Sequence, residues 1–225
     1  MTLTVAPARP DAPDTSDYTI VHGAIRRAGH ALTAAAADLT VGDQDRFDAF
    51  LRYWHGHTGE ILSHHGIEDT IFFPALRERS PEAVAVLDQL DREHHELDRL
   101  MDDAELALGR VLAGADAAEA VAALHELAVV MDAHLDLEES DLIPEIGRHF
   151  GAAEYAVLTK QAMRAVGLGR QAAFTVPYVL AWAEPAERAR IYAEAPLPFK
   201  VLHLLTKGRY RRLASTALGS FAAAG

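Results

Sequence analysis

Cysteine is absent from the 225 residues, which removes disulfides, thiolate zinc sites, iron–sulfur clusters and cysteine nucleophiles at once. Aromatic residues are scarce, at 7%, while Ala is frequent, and that balance favours helices over sheet. No stretch approaches the ~18 uninterrupted apolar residues of a transmembrane helix. The segment Met1 to Asp14 is rich in Pro and Ala and has no apolar run behind a basic start, so it does not read as a signal peptide. The expectation is a soluble cytoplasmic protein.

Acid and histidine are what the chain has in quantity. Its formal net charge is −12, unevenly placed: residues 161–225 carry nine Lys/Arg and three Asp/Glu, giving +6 and leaving −18 on the remainder. Such asymmetry points to two parts with different surfaces, and the acidic part argues against a nucleic-acid partner. Half of the residues are apolar, enough for a sizeable core in one domain or one domain with an appendage. Twelve histidines are an excess for this length, and histidine is the commonest protein metal ligand.

Four long helical stretches are separated by short breakers. The first starts at Ser16 or Asp17, either a plausible N-cap, and runs to about Asp38. Gly42-Asp43 breaks the chain, and the second runs from there to about Arg79. Ser80-Pro81-Glu82 reads as an N-cap with proline at the first helical position. The third stretch continues to about Ala113, and Gly114-Ala115-Asp116 turns into a fourth that ends near Phe150-Gly151. Leu87, Leu90, His94, Leu97, Leu100/Met101, Ala104 and Leu108 recur at helical spacing in the third. Short turns between long amphipathic helices predict an all-α fold, an antiparallel up-down four-helix bundle. The expected organisation is a flexible segment over 1–15, the bundle over 16–150, and a basic helical extension packed on it over 151–225. Prolines at 177, 185, 196 and 198 predict short helices at most in that extension, the last from about Phe199 to Leu213.

The second and fourth stretches repeat one pattern. His64-x3-Glu68-Asp69 is followed by Pro74, and His134-x3-Glu138-Glu139 by Pro144, so both read H-x-x-x-E-[DE]-x-x-[FL]-[FI]-P. Composition alone predicts about 0.04 chance matches to H-x3-E-x5-P, so chance is a poor explanation of two. Residues i and i+4 project from one helix face. A His and a Glu so placed reach the same metal centre, with the carboxylate able to bridge two ions. His22 and His94 offer further ligands from the first and third stretches. His94 lies 20 residues before Gly114 and His134 lies 20 after it. The remaining offsets agree to about a turn at ~1.5 Å rise per residue, so all six side chains can meet in one layer. Each Pro removes a backbone hydrogen bond and bends its helix just after the motif.

His22, His64-x3-Glu68, His94 and His134-x3-Glu138 together resemble the hemerythrin-like, or HHE cation-binding, family over roughly residues 16–150. The resemblance implies two iron ions (Fe2+/Fe3+) with an oxo or hydroxo bridge. Glu68 and Glu138 would bridge them, and His22, His64, His94 and His134 would be terminal ligands. O2, peroxide or NO are the implied small ligands. The oxygen-carrying members place a further histidine four residues after the third-helix ligand, where this chain has Asp98. They also use a wider spacing and an Asp for the bridge in the last helix. Fewer protein ligands leave more coordination sites open and favour turnover over carriage; Asp98 is itself a possible ligand.

The other histidines carry weaker signals. His65 and His95 adjoin candidate ligands but point about 100° away around the helix, so a solvent-facing or interhelical role is expected. His57 lies on the His64 face about 10 Å along the axis, as a lining or hydrogen-bonding residue or a polar core contact. His30, His55, His125, His149 and His203 have no partner at ligand spacing. For the basic extension, an interfacial helix at a membrane surface is one reading; the preferred one has its +6 answering the −18 of the bundle. The leading function is a di-iron protein reacting with dioxygen, peroxide or nitric oxide. Its alternatives are a reversible O2 carrier or iron/oxygen sensor, and a di-iron oxygenase whose organic substrate would need a pocket beside the metals.

Overall fold

A computed structural model describes residues 11–40 and 42–223; expectations for residues 1–10 lie outside the described residues. Among these the chain is helical throughout, with no strand. Four long helices come first: α1 (Ser16–Ala36), α2 (Gln44–Ile67), and, after a short α3 (Phe73–Arg77), α4 (Val84–Leu112) and α5 (Ala118–Leu137). A short α6 (Ile143–His149) follows, then α7 (Ala152–Val166), α8 (Arg170–Trp182), α9 (Pro185–Glu194) and α10 (Leu197–Leu218).

The helix starts follow local chemistry. Asp43 accepts the Arg46 amide at 3.1 Å and Ser80 accepts the Ala83 amide at 3.2 Å, caps worth ~1 kcal/mol each. Pro81 opens the turn behind Ser80, where its missing N–H costs nothing. In the first helix the N-cap position is Thr15 rather than Ser16 or Asp17, and its side chain makes no capping bond; Asp14, one residue earlier, accepts the Ser16 amide at 3.0 Å.

The buried face of α4 is the one its spacing predicts, with Leu87, Leu90, His94, Leu97, Leu100, Met101, Ala104 and Leu108 all inside. The core is divided. One apolar cluster contains Ile25, Leu32, Phe50, Ile61, Leu97 and Met131. The other contains Tyr18, Phe72, Phe73, Leu87, Leu90 and Leu142. The boundary passes through His22, His64, Glu68, His94, His134 and Glu138, all buried. A polar layer thus crosses the helices at one height, between two hydrophobic plugs. Truncating a plug residue such as Leu97 to Ala costs about 2–5 kcal/mol.

The extension is more helical than its prolines suggest. Pro185 and Pro198 fall in the first turns of α9 and α10, where proline is tolerated, so α10 runs for 22 residues. Charge does little to hold the extension. Of its ten Lys and Arg, only Arg190 reaches a carboxylate among the described residues, Asp14 at 2.8 Å. Buried aromatics hold it instead. The Tyr53 and Tyr210 hydroxyls meet at 3.0 Å, and Trp182 donates to Tyr53 at 2.8 Å. Gly56 on α2 makes room for this, because a Cβ there would collide with the Phe174 ring. Residues 11–15 are also held, by Arg190 on Asp14 and by the Ala152 amide donating to the Asp11 carbonyl at 2.9 Å.

Candidate metal centre

Each copy of the repeated motif ends its α-helix in a π turn. Glu68–Phe72 and Glu138–Leu142 are wound this way, and the Phe73 and Ile143 amides reach back to the carbonyls of Glu68 and Glu138. The cause is in the motif. Pro74 and Pro144 cannot donate to the ladder, and in a continuous α-helix their rings would strike the carbonyl four residues back. Widening the turn relieves the clash, and such turns recur at functional sites. The bend expected after each motif therefore takes the form of a π turn that begins at the key glutamate itself.

All six predicted side chains converge, in two groups. His22, His64, Glu68 and Glu138 offer ligand atoms that lie within 4.8 Å of one another, and so do His65, His94 and His134. The two glutamates reach both groups. Glu68 turns Oε1 toward His64 Nε2 at 3.3 Å and Oε2 toward His94 Nε2 at 3.6 Å. Glu138 turns Oε2 toward His22 Nε2 at 3.2 Å and Oε1 toward His134 Nε2 at 3.4 Å. Each carboxylate is thus split between the groups, one oxygen to each.

The outer ring nitrogens are held by acids. His22 Nδ1 lies 3.0 Å from Glu139, His94 Nδ1 2.9 Å from Asp69, and His134 Nδ1 3.0 Å from Glu93. As Nδ1–H donors to these carboxylates, the three rings direct their Nε2 lone pairs inward, the arrangement that orients and strengthens imidazole ligands. Tyr18 donates its phenol proton to Glu68 Oε1 at 2.6 Å. Arg26 holds the rim, bonding Asp136 at 2.7 Å and the Asp132 carbonyl at 2.8 Å.

Burial and crowding set the charges. Burial, followed by the nearby charge of Glu138, pushes Glu68 well above the usual carboxylate range. Burial opposes ionisation of Glu138 too, but the His22 and His64 imidazoles close beside it pull it well below that range. Burial lowers His64 to about 4 and takes His65 well below its ordinary value. His22 is raised because the adjacent Glu138 and Glu139 carboxylates outweigh its burial. The layer therefore presents mostly neutral imidazoles around one firmly ionised carboxylate.

The inward atoms lack partners. Glu68 Oε2, both oxygens of Glu138, Nε2 of His94 and His134, and both nitrogens of His65 are buried without a hydrogen bond. Each such group costs ~1–3 kcal/mol, so a cluster of them with lone pairs converging is a misfit for a plain core. Imidazole and carboxylate donors fit a first-row transition metal.

Sequence reasoning placed some residues differently. His65, expected to point away, is buried and stacks on His94 with ring centroids 4.0 Å apart and planes 9° from parallel. Asp69 and Glu139 were visible as the acidic position of the repeat but not as hydrogen-bond acceptors, and Tyr18 and Glu93 carried no signal. Asp98 is outside both groups, in a groove with Leu62, Met101 and Glu105. His57 is a core contact: its Nδ1 lies 2.9 Å from the Tyr178 hydroxyl, which donates to the Ala24 carbonyl at 3.1 Å. His95 is exposed, and His30, His55 and His149 pair with Asp132, Glu105 and Glu145.

No curated protein and no solved structure matches the chain. The Hemerythrin HHE cation binding domain does, over residues 16–146, a span that begins with α1, ends inside α6 and encloses every residue of the two groups. With that span covering more than half its length, and the His/Glu cluster lying inside it, the chain belongs to the hemerythrin HHE cation-binding family.

Proposed function

We propose that α1, α2, α4 and α5 form an antiparallel four-helix bundle holding two iron ions, and that the protein binds and reacts with dioxygen, peroxide or nitric oxide there. The observation that carries this reading is the division of the Glu68 and Glu138 oxygens between two groups of histidines. Bridging carboxylates between imidazole-ligated positions suit a di-iron pair. His22 and His64 are the terminal ligands on one side; His94 and His134, joined by His65, are those on the other.

Bound iron supplies two one-electron redox centres to a small oxidant, and the chain supplies the rest. Tyr18 fixes the rotation of the Glu68 carboxylate and keeps a phenolic proton beside the centre, with burial holding that phenol protonated. Glu139, Asp69 and Glu93 keep the Nε2 lone pairs directed inward. Phe73 lies over His94, ring centroids 5.5 Å apart, and with Phe72 excludes water from one side. The count of side chains is asymmetric: three imidazoles face one position and two the other. Room for a small ligand therefore falls on the His22/His64 side, and an open position favours turnover.

The deciding experiment is metal analysis followed by the optical spectrum of the iron-loaded, anaerobically reduced protein after mixing with air. Two irons per chain and a band that forms and decays while oxygen is consumed support reaction. A long-lived band that vanishes on removing oxygen assigns carriage or sensing instead. Glu68→Ala and Glu138→Ala should each abolish two-metal loading while His203→Ala does not; two irons retained in both Glu variants would sink the assignment.

A further inference from the structure

A cleft of about 550 Å³ lies between α1 and the helices of the extension, a size typical of small-molecule sites. Its walls are apolar: Ile20 and Val21 from α1, Val176 and Val179 from α8, Ile191 from α9 and Phe199 from α10. None of these belongs to the metal layer, although Ile20 and Val21 directly precede His22. Thr175, which also lines the cleft, donates its hydroxyl to the buried Glu60, one turn from His64 on α2.

One end of the cleft is polar and cationic. Lys200 lines it, with Nζ 2.9 Å from the Ala193 carbonyl and 5.8 Å from the Tyr192 ring centroid. Among the described residues no carboxylate pairs with this ammonium. His203 lines the same end, and its Nδ1 is buried without a hydrogen-bond partner. The acids around the cleft are otherwise engaged or exposed. Asp14 is neutralised by Arg190 at 2.8 Å. Asp17 accepts the Tyr155 hydroxyl at 2.9 Å and the Tyr18 amide at 3.0 Å. Glu194 is exposed. An apolar slot that ends on an ammonium without a counter-ion and an unpartnered ring nitrogen is complementary to one kind of molecule, an apolar chain with an anionic head. With Arg190, which also lines the cleft, committed to Asp14, the free cation is one lysine, a compact point charge that matches the single charge of a carboxylate head.

We propose that this cleft binds a medium-chain carboxylate, its chain against Val176, Val179 and Phe199 and its head at Lys200 and His203. This binding is independent of what the metal layer does, so its failure and that of the di-iron reading are separately visible. The test is calorimetric titration of the full chain, metal-free and iron-loaded, with decanoate, decanol and decyltrimethylammonium as probes. One decanoate per chain is expected in both forms, held about tenfold or more tighter than decanol, with the ammonium probe weaker than either. Lys200→Ala should remove the advantage of decanoate and leave decanol unchanged. Val179→Trp should remove both, with circular dichroism checking that the helices persist. If that variant unfolds, Lys200→Ala decides alone. Equal binding of decanoate and decyltrimethylammonium, or no effect of Lys200→Ala, would overturn the proposal. So would association only with phosphatidylglycerol vesicles and no saturable uptake of monomeric decanoate, because the anion preference would then belong to the surface of α10.

Discussion

Asp69 takes the Nδ1 side of His94 at 2.9 Å, although the two residues sit on different helices and Asp69 directly follows Glu68. The same device serves the other copy of the motif, where Glu139 follows Glu138 and holds His22 at 3.0 Å. One dipeptide thus provides a carboxylate to the centre and an orienting acceptor to a histidine on a neighbouring helix. Asp69→Ala and Glu139→Ala should each weaken metal binding by about 10–100-fold, measured by competition with a chelator. Glu96→Ala, an exposed acid on α4, should leave the affinity unchanged.

His65 supplies the third imidazole beside His94 and His134. His65→Ala should lower bound iron toward about one per chain, the loss falling on that side. His95→Ala should keep the full complement, since that ring is exposed. Equal metal content in the two variants would remove His65 from the ligand set.

Tyr18→Phe deletes the donor to Glu68 and keeps the edge contact to the Phe72 ring, 5.6 Å between centroids. The metal-free variant should lose about 1–3 kcal/mol in urea unfolding. Its iron-loaded form should retain both metals but show a shifted visible band, because the bridging carboxylate loses its fixed partner.

His57 ties acid sensitivity to the core. Burial lowers its folded pKa to about 3, against ~6.5 in the unfolded chain. Between these values the unfolded chain takes up a proton that the folded one refuses. Stability is therefore full above pH ~6.5 and falls as pH drops, by up to ~1.4 kcal/mol per pH unit. His64, His65 and His94 are lowered as well and act with the same sign in the metal-free protein. His57→Gln keeps a donor for Tyr178 and removes this proton. Urea unfolding of the metal-free protein at several pH values should then show a slope shallower by about one group's worth.

Much of this architecture is written in local patterns. The burial of Leu87, Leu90, Leu97 and Leu108 follows from 3.6-residue periodicity, and the cap at Ser80 from a hydroxyl followed by proline. The common height of the polar layer follows from counting residues to the turns, because helical rise is nearly constant whatever surrounds it. The two H-x3-E motifs also locate the centre, since i and i+4 share a face in any α-helix.

Other features depend on neighbours that no single helix contains. His65 points about 100° from His64, an angle that argues against a shared ligand face within one helix, and that angle is what gives it a role. His64 meets His22 from α1, ring centroids 5.0 Å apart, while His65 stacks on His94 from α4. Adjacent positions on a helix lying between two others serve two different partners. The acceptors Asp69, Glu93 and Glu139 likewise act across helices, so periodicity within one segment cannot assign them. The extension shows the same division. Its positive charge is plain in composition, yet Tyr178, Tyr210 and Trp182 hold it through buried contacts with α1 and α2, because desolvated aromatic surface binds more strongly than solvated charge. Local periodicity decides where the helices and the polar layer lie. Packing decides which side chains meet there, since contact depends on the directions of several helices at once.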